Sequence, residues 1–128
     1  MAETRFHTVP DDFEATIRTM RPDEGGRLSP PFNGIRWDFQ YAEDPVDRLW
    51  MIYADFFDAE RNALPTDLPL RIDVELPARM AILSSQLRIE VHQKRLQVGT
   101  LFFCKEGSKS VAAGRVTKIT GLFAPRGK

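Results

Sequence analysis

The chain has 128 residues, 42% of them hydrophobic and 28% charged, with 18 acidic and 18 basic side chains in exact balance. That is one ordinary domain, large enough to bury a core without a metal or a disulfide, and a single cysteine, Cys104, excludes an intrachain disulfide. The longest wholly apolar run, residues 49–54, is six residues against about 18 for a membrane helix, and the first residues hold no apolar stretch of a leader peptide. The expectation is a cytoplasmic protein with no membrane association.

The charges are unevenly placed. Residues 1–64 carry 13 acids and 7 arginines, a net of −6, while residues 65–128 carry 5 acids and 11 basic residues, a net of +6. A basic patch is enough to attract nucleic acid without a basic average. A compact fold can equally bring both halves onto one surface, and the polarity then has no partner to explain.

In chain order, residues 1–11 are polar and read as a loose end. Phe13, Ala15 and Ile17 repeat with period two, predicting a first strand over 13–20. Residues 21–34 are rich in Gly and Pro and read as a long connection, with Asn33-Gly34 as a turn pair tolerant of positive φ. Ile35, Trp37, Phe39 and Tyr41 then share one face of a second strand. Residues 49–57 are aromatic and branched, favouring strand over a short buried helix, and 58–69 reads as loop. Alternation of Leu70, Ile72, Val74 and Leu76 predicts a strand over 70–76, and that of Leu87, Ile89 and Val91 with Arg88, Glu90 and His92 predicts another over 87–92. Residues 101–104 form an apolar strand that turns at Glu106-Gly-Ser108 into a last strand over 111–119.

Short strands at this spacing predict an all-β fold, a closed antiparallel barrel of about six strands over residues 12–121. Residues 122–128 form a tail, and 42–69 an extended insertion between strands two and three. The expected inner layer holds Phe13, Trp37, Phe39, Ile72, Val74, Ile89, Val91, Phe102 and Val116. The apolar side chains of 49–57 are too many for a free loop. They are expected to cover one end or edge of the barrel as an added edge element, with the segment's acids outward, or to form a face through which the chain dimerises.

Catalytic chemistry is thinly represented. Cys104, His7 and His92 stand at no metal-ligand spacing, and Cys104, in an apolar run, reads as a small buried hydrophobe. His92 falls on the polar face of the 87–92 strand. No loop matches a phosphate cradle, since Glu24-Gly-Gly-Arg27 has no lysine and opens no helix. The acids between 43 and 60 form no calcium-loop pattern and read as a solvated surface. Neither an enzyme nor a bound cofactor or metal is expected.

Two stretches are specific enough to compare with known proteins. The first is Glu24-Gly-Gly-Arg27, followed by Ser29, Phe32, Asn33-Gly34 and Ile35-Arg36-Trp37-Asp38-Phe39. The second is Phe102-Phe-Cys-Lys-Glu-Gly107, followed by Ser110-Val-Ala-Ala-Gly-Arg-Val-Thr-Lys-Ile119. Together they resemble the third domain of elongation factor Tu, the translation GTPase that carries aminoacyl-tRNA. The resemblance implies a closed antiparallel barrel without the GTPase domain, so GTP chemistry is not carried over. In that family the domain binds: it contacts the tRNA T-stem backbone, the exchange factor and its own GTPase domain.

Carried over by motif, the implied contact positions are Arg27, Arg36, Asp38, His92, Glu106 and Gly107. Arg27 and Arg36 are donors suited to phosphate, or alternatively ties from the long loop to the barrel. Leu28 stands where the family often has His, and Asp38 where it has Gln, which removes one polar contact and adds a negative charge. A monomeric or homodimeric module is therefore expected to bind a protein partner, with the translation machinery as the implied setting. Binding to tRNA or other RNA is expected to be weak.

Overall fold

The computed structural model describes residues 9–45 and 47–126. Residues 1–8, with His7 and most of the N-terminal segment expected to be loose, lie outside the described residues. Six strands form one antiparallel sheet: β1 (Phe13–Thr19), β2 (Asp38–Tyr41), β3 (Ile52–Phe56), β4 (Glu75–Ile82), β5 (Leu101–Glu106) and β6 (Lys109–Ile119). Their order is β2-β5-β6-β1-β4-β3. Register shifts at Glu14/Ala15 and at Cys104/Lys105 accompany the curl of the sheet into a half-barrel. The edge strands approach at one point, where Phe39 and Trp50 exchange two backbone hydrogen bonds of 2.8 Å.

The core fills the concave side. β1 buries Phe13, Ala15, Ile17 and Thr19 in strict alternation, as its sequence pattern predicts. The Phe39 ring stacks on Phe102 at 4.5 Å and meets Tyr41 and Phe13 edge-on at 4.9 and 6.4 Å. Gly114 makes room for this cluster, because a Cβ there would lie 2.3 Å from the Phe102 ring. Trp37, Phe39, Phe102, Phe13 and Val116 of the expected inner layer are all buried.

The other four are not in that layer. The strand expected over 70–76 begins at Glu75 and runs to Ile82, and Ile72 and Val74 are only half-buried. Residues 71–74 form a bend in which Asp73 takes φ 60°, its N–H donates to the Thr19 carbonyl, and its carboxylate accepts from Arg18 and Arg21. Alternation ends the expected strand at Leu76, whereas β4 runs on through Pro77. Pro77 sits just beyond the end of β3, where its carbonyl accepts from Phe57 N–H and no further ladder N–H is needed.

The strand expected over 87–92 is helical. Ser85–Leu87, the wider π turn Arg88–His92 and Gln93–Arg95 run on as one helical segment, whose N-terminus is capped by Ser84 Oγ accepting from Leu87 N–H. Its buried residues are Arg88 and His92, four apart, while Ile89 is 56% exposed and Val91 half-buried. The period that counts is helical, and it is written in charged and polar residues that a search for apolar alternation passes over.

The 49–57 segment supplies β3 (Ile52–Phe56), added at the edge of the sheet as expected. β3 pairs with β4 from Ile52↔Ile82 to Phe56↔Ala78, so the segment 42–69 holds an integral strand between two loops. Nor do all its acids face outward. Asp55 is fully buried against Arg79 at 3.7 Å, and Asp44 is held by Arg95. Asn33-Gly34 is a turn in which only Gly34 has positive φ, 96°. Asn33 is buried and uses its carboxamide instead, accepting from Phe56 N–H at 2.9 Å and donating to the Phe56 and Leu64 carbonyls. The tail from 122 also joins the fold, with Leu122 fully buried.

Candidate functional site

The two specific stretches of sequence meet in space. After β1 the chain makes a short 3-10 turn, Pro22–Glu24. The Glu24 carboxylate accepts from Arg18 and from Arg21 N–H, and these bonds, Arg18 first, hold its pKa down to about 2. Gly25 follows at φ 89°, a left-handed conformation that glycine adopts without strain. Gly26 passes so close to β1 that a Cβ would lie 2.4 Å from the Met20 carbonyl oxygen. The paired glycines therefore bend the loop back tightly.

Arg27 then reaches the β5–β6 hairpin. Its Nη1 donates to Glu106 Oε2 at 2.6 Å, and its Nε donates to the Ser29 carbonyl at 3.1 Å. The same Glu106 oxygen accepts from the Trp37 indole N–H at 2.8 Å. Glu106 occupies this point because β5 and β6 are joined by a two-residue turn, Gly107–Ser108, with Gly107 at φ 62°. Arg27, Glu106 and Gly107 are thus brought together. Trp37, expected only as a core residue, is the third member of the node. Its signal was available in principle, since a buried indole N–H needs an acceptor.

The remaining expected contacts are spread more widely. Arg36 is exposed and lies over the Tyr53 ring at 5.1 Å. Asp38 is half-buried opposite Lys105 in the β2–β5 register. Lys105 is itself buried and donates to Ser110 Oγ at 3.1 Å. Leu28 stands 91% exposed on the loop. Among Arg27, Arg36, Lys105 and Lys109, Arg27 is paired and Lys105 buried, while Arg36 and Lys109 face solvent.

His92 does not join this group. It is buried in the helical segment rather than on a polar strand face, with Nδ1 2.7 Å from the Tyr41 hydroxyl and its ring edge-on to Trp50 at 4.9 Å. Burial holds its pKa down to about 4 and raises that of Tyr41. Arg95 stacks over the opposite partner of this pair, 3.8 Å from the Tyr41 ring centroid, and grips Asp44 with two bonds of 2.9 Å. His92 is thus a structural group behind the Arg95–Asp44 pair.

Cys104 is buried, and burial pushes its thiol up to about 12, so it remains a protonated, small apolar side chain. Among the described residues, no three His, Cys, Asp or Glu side chains are grouped to hold a metal ion, and no helix is long and apolar enough to cross a membrane. No protein-family model matches the chain.

Proposed function

We propose that this chain is a non-enzymatic binding module, a small closed antiparallel barrel resembling the third domain of elongation factor Tu, that engages a protein partner. The observation that carries this reading is the Arg27–Glu106–Trp37 node. The arginine that the resemblance offers to an RNA backbone is already bound to a carboxylate, and Lys105 is withdrawn from the surface. A phosphate would have to displace Glu106 from Arg27 and approach past Asp38, which weakens the electrostatic term that dominates RNA affinity. The pairing of Phe39 with Trp50 supports closure of the barrel, and the translation setting rests on the resemblance alone.

Capture from native lysate, with and without RNase, tests this directly. Protein partners should be retained after RNase treatment. Filter binding of charged and uncharged tRNA should give a dissociation constant of about 10⁻⁴ M or weaker near physiological salt, the range of non-specific binding. A submicromolar constant that disappears in the Arg27→Ala, Arg36→Ala double variant would overturn the protein-partner reading in favour of RNA.

A further inference from the structure

On the far side of the 57–77 region lies an apolar groove of about 520 Å³. Leu64, Leu68, Leu70 and Leu76 line it over the ring of Phe57. That volume lies within the range of sites that take small ligands or a few side chains, roughly 300–1,000 Å³. Leu68 is 60% exposed at the lip. An exposed leucine alone means little, but one continuous with an apolar groove extends a surface that water covers poorly.

The groove is held in shape by backbone bonds from three directions. Leu64 N–H donates to the Phe56 carbonyl at 2.8 Å, Leu70 N–H to Pro31 at 2.8 Å, and Phe57 N–H to Pro77 at 3.1 Å. Its walls are therefore anchored to β3, to the 31–34 turn and to β4, and an occupant needs to order little of the protein on binding.

The polar character of the groove is one-sided. Pro65, Pro69 and Pro77 are part of its lining and have no N–H to offer. Besides Arg61, the charged residues of the 58–71 loop are Asp58, Glu60 and Asp67 against Arg71, three carboxylates and one guanidinium for a net of −2. Arg61 and Arg79 both lie over the Phe57 ring, and each faces a carboxylate, Arg61 that of Glu14 and Arg79 that of the buried Asp55. The surroundings thus favour an occupant that brings hydrogen-bond donors and positive charge.

We propose that this groove docks an extended segment of a partner protein, apolar at its centre and flanked by lysine or arginine. The proposal deepens the protein-interaction reading and rests on it. A symmetric pair of copies meeting here would set Asp58, Glu60 and Asp67 of each against the same acids of the other, which disfavours a homodimer at this face. Nucleic acid and anionic membrane surfaces are repelled by the same charges.

The test titrates two synthetic peptides into ¹⁵N-labelled protein. Both have a leucine-rich centre held extended by one proline; one has two lysines at each end and the other two glutamates. The lysine peptide should shift amide signals of residues 57–77, at least tenfold more tightly than its twin, and its affinity should fall as salt rises. Leu68→Asp should abolish the shifts, and because Leu68 is exposed this variant should fold normally. Asp67→Lys should weaken binding several-fold and flatten the salt dependence. Equal binding of both peptides, shifts outside 57–77, no shifts at millimolar peptide, or self-association through this face in sedimentation would each overturn the proposal. In lysate capture, a protein partner retained equally by Leu68→Asp would overturn the groove and leave the interaction reading intact. Capture of RNA alone by the unaltered chain would overturn that reading itself.

Discussion

Single residues in this fold do work that their identity alone does not announce. Glu106 is a surface-type residue at a hairpin turn, yet one of its oxygens joins the 21–34 loop, the start of β2 and the β5–β6 turn. Gly114 is needed for the space it leaves to Phe102. His92 gives the pH prediction. Its folded value of about 4 lies below the ordinary histidine value near 6.5, so between these limits the unfolded chain binds more protons than the folded one. Its contribution is fully present above the ordinary value and is lost as pH falls through about 4. We expect a loss on the order of 3 kcal/mol across that window. Thermal melts of the protein and of His92→Gln, run in parallel from neutral pH downward, check this. The difference between the two should shrink as pH falls, and parallel curves would refute the role given to His92.

At the scale of elements, β3 shows how an edge strand is finished without a continuous neighbour. It pairs with β4 on one side. On the other, Trp50 binds Phe39 just before the strand, and the Asn33 carboxamide bonds both the N–H and the carbonyl of Phe56 at its end. A side-chain amide here stands in for a missing strand, and it also donates to the buried Asp55 carboxylate at 3.0 Å. Asn33→Ala would remove the partners of the buried Phe56 N–H and the Leu64 carbonyl, at about 1–3 kcal/mol for each that water does not reach. The expected result is a stability loss of about 2–4 kcal/mol in urea denaturation, with amide exchange accelerated at Phe56 more than at β1. A loss below about 0.5 kcal/mol would mean that Asn33 is only a turn residue.

For the molecule as a whole, the charge split between the halves of the chain is resolved internally. Acids of the first half pair with arginines of the second: Asp55 with Arg79, Asp44 and Glu43 with Arg95, and Asp12 with both Arg88 and Arg126. The Asp12 cluster ties the described ends of the chain together. Its carboxylate accepts from Ile82 N–H, Arg88 Nε and Arg126 Nη2 at 2.6–2.7 Å, while Arg88 Nη2 also donates to the Gly121 and Ala124 carbonyls. Removing Arg88 would leave a buried carboxylate short of its main partner and is expected to cost about 3 kcal/mol or more. Arg126→Ala, at the more exposed edge of the cluster, should cost about 1–2 kcal/mol because Arg88 and Ile82 N–H still compensate Asp12. Urea midpoints check the order, and an Arg126 effect equal to that of Arg88 would contradict it.

The sequence by itself determined the predominantly antiparallel β character, the buried face of β1, the burial of Phe39 and Phe102, the β5–β6 turn and the glycine- and proline-rich 21–34 connection. Each depends on period-two burial or on backbone freedom, which neighbouring residues encode locally. Tertiary structure decided the rest. Residues 70–74 and 87–92 alternate as strands do, but one becomes a bend because Arg18 and Arg21 capture Asp73, and the other a helical segment because Asp12 and Tyr41 provide burial for Arg88 and His92. The same holds for the candidate site. Arg27 and Arg36 look alike in sequence, yet one meets a carboxylate 79 positions away and the other faces solvent over Tyr53. Local pattern reports what a segment can bury, whereas partners distant in sequence choose among the alternatives and set the charge left for a binding partner to read.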